Sequence, residues 1–176
     1  MIEEGLSTCK KLNIEGNVDV NVDRISNLPD KVIQLILSSL ETKDAVRTSL
    51  LSRSWRYRWL SVTNLRLSEW APYMSLKRSQ FLDFVDRVFA LREPSDDLNL
   101  VELEFCVFNG AARINSWLCS AVKHNVQHLV LLLDWFLDEM LELPHCLFTC
   151  HTLREIVIVA EVYLKLPSSI QFSNLN

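Results

Sequence analysis

The sequence predicts an α+β chain in two parts, a module of three short helices near the N-terminus and a short α/β array of repeats after it. Three observations carry this. Helix signals crowd between Arg24 and Trp59, an amphipathic helical spacing begins at Phe81, and a strand-like phrase recurs farther on. That phrase, apolar-x-x-apolar-x-apolar, is found at Leu98/Val101/Leu103, Val126/Leu129/Leu131 and Leu153/Ile156/Ile158, offset by 28 and then 27 residues. A constant offset of this size is a repeat signal.

The first helix is expected at Leu28-Pro29-Asp30, where Pro29 suits the first helical position and Asp30 complements the positive end of the helix dipole. Val32, Ile33, Ile36, Leu37 and Leu40 follow at steps that gather them on one stripe. Glu41-Thr42-Lys43 interrupts the stripe, and Asp44 is the expected N-cap of a second helix carrying Val46, Leu50 and Leu51. Ser52 is the expected cap of a third, on which Trp55 and Trp59 share a face four residues apart. Helices this short are marginal alone and must pack on each other or on a partner. Their apolar side chains are more than a three-helix core of this size can bury, so a hydrophobic face is expected to remain for a protein partner.

Beyond this module, Phe81, Phe84, Val85, Val88 and Phe89 predict an amphipathic helix that ends in the stretch from Arg92 to Asp97, where Pro94 disfavours helix at the residue before it. Ile114, Trp117, Leu118, Ala121 and Val122 predict another. The three repeated phrases read as strands with alternating inward side chains, and the chain between them supplies the return path. A second echo runs through Leu143-Pro144-x-x-Leu147-Phe148 before Leu153 and Leu166-Pro167-x-x-Ile170-x-Phe172 before Leu175. An α+β domain with three evenly spaced strands would give the same pattern. In a repeat array, polar positions such as Glu102, Glu104, Gln127, Arg154 and Glu155 would be the ones offered to a target.

The chain has 176 residues, enough for a small domain beside a short repeat array. A hydrophobic content of 49% excludes disorder throughout and fits apolar positions recurring in stacked units and at an interface. With 18 Lys+Arg against 22 Asp+Glu, the net charge of -4 argues against nucleic acid as the main partner. One local strip runs the other way: Arg47, Arg53, Arg56 and Arg58 interleave with Trp55, Tyr57 and Trp59. Such a strip suits a single-stranded RNA groove, or else is a solvated arginine face on a helix whose tryptophans point inward. Residues 1–22 read as a flexible leader without the apolar core of a signal peptide, and Leu129–Leu133 is far shorter than the ~20 residues of a membrane span, so no membrane partner is expected. The five cysteines, Cys9, Cys106, Cys119, Cys146 and Cys150, are odd in number and scattered, which predicts reduced thiols in the nucleus or cytoplasm.

Ile25-Ser26-Asn27-Leu28-Pro29-Asp30, Ile36-Leu37, Lys43-Asp44-Ala45-Val46-Arg47-Thr48-Ser49, Leu51-Ser52-Arg53 and Trp55-Arg56-Tyr57-Arg58-Trp59 together resemble the plant F-box proteins, and more narrowly the F-box/leucine-rich-repeat group that often carries an FBD segment. The phrase Leu143-Pro144-x-x-Leu147-Phe148-x-Cys150-x-Thr152-Leu153 is similar to the repeats of the same group. The resemblance implies a trihelical F-box over 23–67, followed over 68–176 by a partial, leucine-rich-repeat-like α/β solenoid. It implies binding to the Skp-type adaptor of an SCF-type cullin-RING ubiquitin ligase, and recruitment of an unknown protein substrate. The adaptor-facing residues it implies are Leu28, Pro29, Val32, Ile36, Leu37 and Trp55, with Asp44, Val46, Leu50 and Leu51 left to the module's own core and capping. The chain departs from the group in stopping after few repeats, without a polar terminal cap or FBD segment, and is expected to be a shortened product with a sticky C-terminal edge. A shortened product would bind the adaptor without recruiting a substrate.

Catalytic signals are weak. His145-Cys146-x-x-x-Cys150-His151 offers zinc-ligand types, but one short segment can hardly converge four of them tetrahedrally. Asp134, Asp138, Glu139 and Glu142 read as a solvated face, and Gly5, Gly16 and Gly110 are isolated, so no phosphate-cradling loop is expected. No local signature pairs a cysteine nucleophile with His124, His128, His145 or His151. The chain is expected to be non-catalytic, with no metal and no cofactor.

Overall fold

The computed structural model describes residue 25 and residues 27–69, 75–93, 95–107, 111–135, 140–160 and 164–167. The expected leader, the acidic positions Asp138 and Glu139, and the echo from Ile170 to Leu175 lie outside the described residues.

Helix α1 spans Asp30–Ser38, with Pro29 at the N-cap rather than inside the first turn. The Pro29 carbonyl accepts the Val32 and Ile33 N–H groups at 2.9 and 3.1 Å, which closes that turn. Ile33 and Leu37, four residues apart, are the side chains it buries. Helix α2 spans Thr42–Arg47 and begins two residues before the expected cap Asp44. The reason is local: the Glu41 carbonyl already accepts the Asp44 and Ala45 N–H groups, each at 2.9 Å, so Glu41 holds the N-cap. Asp44 instead pairs with Arg47 at 3.0 Å along the surface of the helix.

The expected second helix gives way after Arg47 to a tight 3-10 turn at Thr48–Leu50, and the expected third is replaced by 3-10 turns at Arg53–Trp55 and Arg58–Ser61. Ser52 is extended, and its hydroxyl lies 2.8 Å from that of Ser54 instead of capping a backbone N–H. Serine, tryptophan and tyrosine are indifferent helix formers, and short i→i+3 turns serve as connectors where a longer helix is not supported. The turns still deliver Trp55 and Trp59 to the interior, at 3% and 5% exposure. Leu50 and Leu51, expected in the core, are exposed.

Strand β1 (Asn64–Ser68) follows at once, crossing the expected boundary at residues 67 and 68. Then come α3 (Ser75–Ala90), β2 (Leu100–Val107), α4 (Ala111–Lys123), β3 (His128–Trp135), β4 (Leu141–Glu142), α5 (His145–Phe148), β5 (Glu155–Ala160) and β6 (Leu164–Lys165). Strands β1, β2, β3 and β5 form one parallel sheet in chain order, and β4 pairs with β6. The register aligns Leu65, Val101, Leu129 and Ile156 in one row and Leu67, Leu103, Leu131 and Ile158 in the next. The three expected strands therefore fall on equivalent positions, and β1 joins them.

Alternation sends these rows into a core shared with Val85, Val88 and Phe89 of α3, Ile114, Trp117 and Leu118 of α4, and Leu147 and Phe148 of α5. Trp117 packs edge-on against Phe105 with ring centroids 5.7 Å apart, and its indole N–H donates to Asp86 Oδ1 at 2.6 Å, joining α4 to α3. The same core continues through Val62, Trp59 and Trp55 to Ile33 and Leu37. The N-terminal helices and the α/β body are thus packed as one unit.

Candidate functional site

Two surfaces stand out among the described residues once the core is closed. The first belongs to the N-terminal helices. Because Ile33 and Leu37 point inward, the neighbouring Val32, Leu35 and Ile36 point outward, with Leu35 at 70% exposure. Ile25, Leu50, Leu51 and Tyr57 are exposed as well. Seven of the twelve large exposed hydrophobic side chains among the described residues therefore fall between residues 25 and 57. Single exposed apolar residues are ordinary, but this density on one small segment makes it the candidate contact surface.

The residues assigned to the adaptor divide. Pro29, Val32 and Ile36 are exposed, and Leu28 is partly buried against the core. Leu37 has no exposed surface and Trp55 has 3%, so both are interior side chains in this chain. Geometry explains the difference. Leu37 is one helical turn from Ile33 and must share its inward face, while Trp55 is covered by the Arg58 guanidinium, 5.9 Å from its ring. Arg58 is itself fixed by Asp30, whose Oδ1 accepts from Nη1 at 2.7 Å, and by the Ser54 carbonyl at 3.1 Å. Leu35, absent from the expected set, is the most exposed apolar residue of α1. Its signal was present in the sequence, since an outward position lies about 180° from an inward one, and Leu35 is two residues from both Ile33 and Leu37.

The arginine strip is also rearranged. Arg58 and Arg47 are in ion pairs, and the rings of Trp55 and Trp59 are buried, which leaves Tyr57 as the exposed aromatic of the strip.

The second surface is the face of the sheet opposite the core. Arg66, Glu102, Val130 and Val157 form one outward row, and Ser68, Glu104, Leu132 and Val159 the next. The rows change character along the sheet. Arg66 pairs with Glu102 at 3.5 Å and the Ser68 hydroxyl donates to Glu104 at 2.8 Å, whereas the β3 and β5 positions are apolar, with Val157 and Val159 exposed. Parallel sheets are ordinarily covered on both faces, whereas among the described residues the outward positions of this one are partly exposed at Arg66, Glu102, Val130 and Leu132 and exposed at Glu104, Val157 and Val159. Of the polar positions named from the sequence, Glu102 and Gln127 are partly exposed and Glu104, Arg154 and Glu155 are exposed.

The junction between the two surfaces rests on two arginines. The Arg66 N–H donates to Thr42 Oγ1 at 2.8 Å and its guanidinium to the Ser38 carbonyl at 3.4 Å. Arg92, at the end of α3, reaches back to donate to the Leu60 carbonyl at 3.0 Å and lies 5.8 Å over the Trp59 ring. Its burial lowers the guanidinium to about 10, against the opposing pull of Asp96.

A cleft of about 760 Å³ opens between α2, β1 and α3, with Lys43, Asp44, Arg47, Arg66, Phe81 and Phe84 in its walls. Charges of both signs alternate there. Among the described residues no group of three or more His, Cys, Asp or Glu is placed to hold a metal ion, and no helix is long and apolar enough to cross a membrane.

Residues 25–67 match the F-box domain family. An F-box/FBD/LRR-repeat protein of Arabidopsis thaliana is 34% identical over 163 residues, covering 90% of this chain and 36% of the relative. An F-box/LRR-repeat protein of the same plant is 35% identical over 147 residues, covering 81% of this chain and 36% of the relative. Another is 39% identical over 119 residues, 62% of this chain and 22% of the relative. The chain spans about a third of the length of the curated relatives that match most of it. No solved structure matches it.

Proposed function

Since this chain belongs to the plant F-box proteins of the leucine-rich-repeat and FBD group, we propose that it is a non-catalytic, substrate-recruiting adaptor of an SCF-type ubiquitin ligase. The observation that carries this reading is the crowding of exposed apolar side chains between residues 25 and 57, on a segment whose own core is already closed by Ile33, Leu37, Trp55 and Trp59. A Skp-type adaptor would cover Pro29, Val32, Leu35 and Ile36. In the same reading β1, β2, β3 and β5 are the start of a leucine-rich-repeat solenoid, supported by their parallel order and by the offsets of 28 and 27 residues between β2, β3 and β5. The open face of the sheet would hold a protein target. The mechanism is proximity: other ligase subunits perform the chemistry, and holding the target raises the effective concentration of its lysines. The site of action in this reading is the nucleus or cytoplasm.

Co-purification of the whole chain with a Skp-type adaptor tests the first half. A well-folded chain that fails to bind any such adaptor overturns it. Ubiquitination of proteins that co-purify with the chain tests the second half, and adaptor binding without any modified partner would favour a protein that occupies the adaptor without delivering a substrate. Both assays need the intact chain, because a cut at residue 67 would divide β1.

A further inference from the structure

Helices α4 and α5 bring together two thiols that are distant in sequence. Cys119 Sγ and Cys146 Sγ lie 3.1 Å apart, and both residues are partly exposed. Cys150 is close enough to influence Cys146 electrostatically, and its own Sγ is 3.2 Å from Thr152 Oγ1. A disulfide has an S–S distance of about 2.05 Å, so closing the Cys119–Cys146 gap takes a movement of about 1 Å, within the reach of small side-chain rotations. The pair belongs to neither of the surfaces described above.

We infer that Cys119 and Cys146 are a reversible oxidation site, at which a small disulfide of the oxidised-glutathione class converts the two thiols into an intrachain bond stapling α4 to α5. The inference is independent of the ligase reading. One protein thiolate attacks a sulfur of the oxidant, forming a mixed disulfide and releasing one glutathione thiolate. The second protein thiolate then attacks the protein-side sulfur, forming the Cys119–Cys146 bond and expelling the second glutathione. The two protons lost by the cysteines end on the two released thiols. The protein pair gives up two electrons and the oxidant gains them.

The order of attack follows from the surroundings. Burial, reinforced by the hydrogen bond to Cys119, pushes the Cys146 thiol up to about 12, so Cys146 stays protonated at neutral pH. Cys119 makes the first attack and Cys146 resolves. A reducing cytosol holds such a pair open, and a shift of the pool toward the oxidised form closes it. The bond would then fix α5, whose Leu147 and Phe148 lie in the core, to the preceding helix.

The test uses the full chain, reduced and then equilibrated in buffers of graded oxidised-to-reduced glutathione ratio, trapped with N-ethylmaleimide and mapped by mass spectrometry. The expected result is the loss of two alkylatable thiols, a Cys119–Cys146 linked peptide, and its reversal by reduced glutathione. C150S should keep the link and C119S should abolish it, leaving Cys146 alkylatable. Closure from the mixed disulfide should quicken about tenfold per pH unit between 7 and 9, following the thiolate fraction of Cys146. A dominant Cys146–Cys150 link, scrambling to Cys9 or Cys106, or arrest at the glutathione adduct would each overturn the assignment.

Discussion

Thr42 Oγ1 accepts the Arg66 N–H at 2.8 Å, and through that bond the N-terminal helices close the outer edge of the parallel sheet. An edge strand ordinarily presents unpaired N–H and C=O groups to any passing strand. Here one of them is satisfied by a side chain of α2, itself only 4% exposed. Replacing Thr42 by valine keeps the shape and deletes the acceptor, leaving the strand N–H without its partner. T42V should destabilise the chain by about 1–3 kcal/mol in urea titrations, while T42S should lose far less. Equal stability of T42V and the parent would show that the bond contributes nothing to the junction.

Arg92 makes a contrasting case, because the residue is 6% exposed and its Nε and Nη2 are buried and unpaired among the described residues. Burying a charge costs desolvation, and the lowering of this group to about 10 reflects that cost. R92M retains the stem packed on Trp59 and removes the charge, so its stability should stay within about 1 kcal/mol of the parent or exceed it. R92A also removes the packing and should cost about 2–3 kcal/mol. If both variants lose the same amount, the charge rather than the stem holds the junction.

On α1 the two faces predict opposite phenotypes. L35D places a charge on a side chain that is 70% exposed, so the chain should fold normally while adaptor binding falls by about thirtyfold or more, corresponding to a hot spot of about 2 kcal/mol. L37A removes a fully buried side chain and should cost about 2–5 kcal/mol of stability. Calorimetry of the isolated chain and titration with the adaptor separate the two effects. Undiminished adaptor binding by folded L35D would remove α1 from the docking surface.

The same helix shows how far the sequence could be read. Val32, Ile33, Ile36, Leu37 and Leu40 are gathered on one stripe by their spacing, and hydrophobicity does not say which part of so wide a stripe turns inward. The inward direction is set by Trp55, Trp59 and Val62, which arrive from later in the chain. Strands β2, β3 and β5 were legible because their offsets nearly match. Strand β1 was hidden, since Leu65 precedes its register partner Val101 by 36 residues and so falls outside the period. The third helix failed for a local reason, the competition of the Ser52 and Ser54 hydroxyls with regular capping. Arg92 and the Cys119–Cys146 pair depend on long-range packing and carry no sequence signal of their own.

The open face of the sheet yields the last prediction. Strand side chains alternate, so Leu131 and Val159 belong to the same sheet and yet meet different surroundings: Leu131 is fully buried and Val159 is 59% exposed. L131A should therefore cost about 2–5 kcal/mol. V159K should stay within about 0.5 kcal/mol of the parent, because the new charge remains in water. An exposed valine pair on β5 also favours association between chains, and a lysine there opposes it. V159K should accordingly reduce self-association in light scattering at unchanged stability, and it should release any target that packs on the apolar half of this face. Retention of every co-purifying protein by folded V159K, alone and with V157K, would move target binding away from β5.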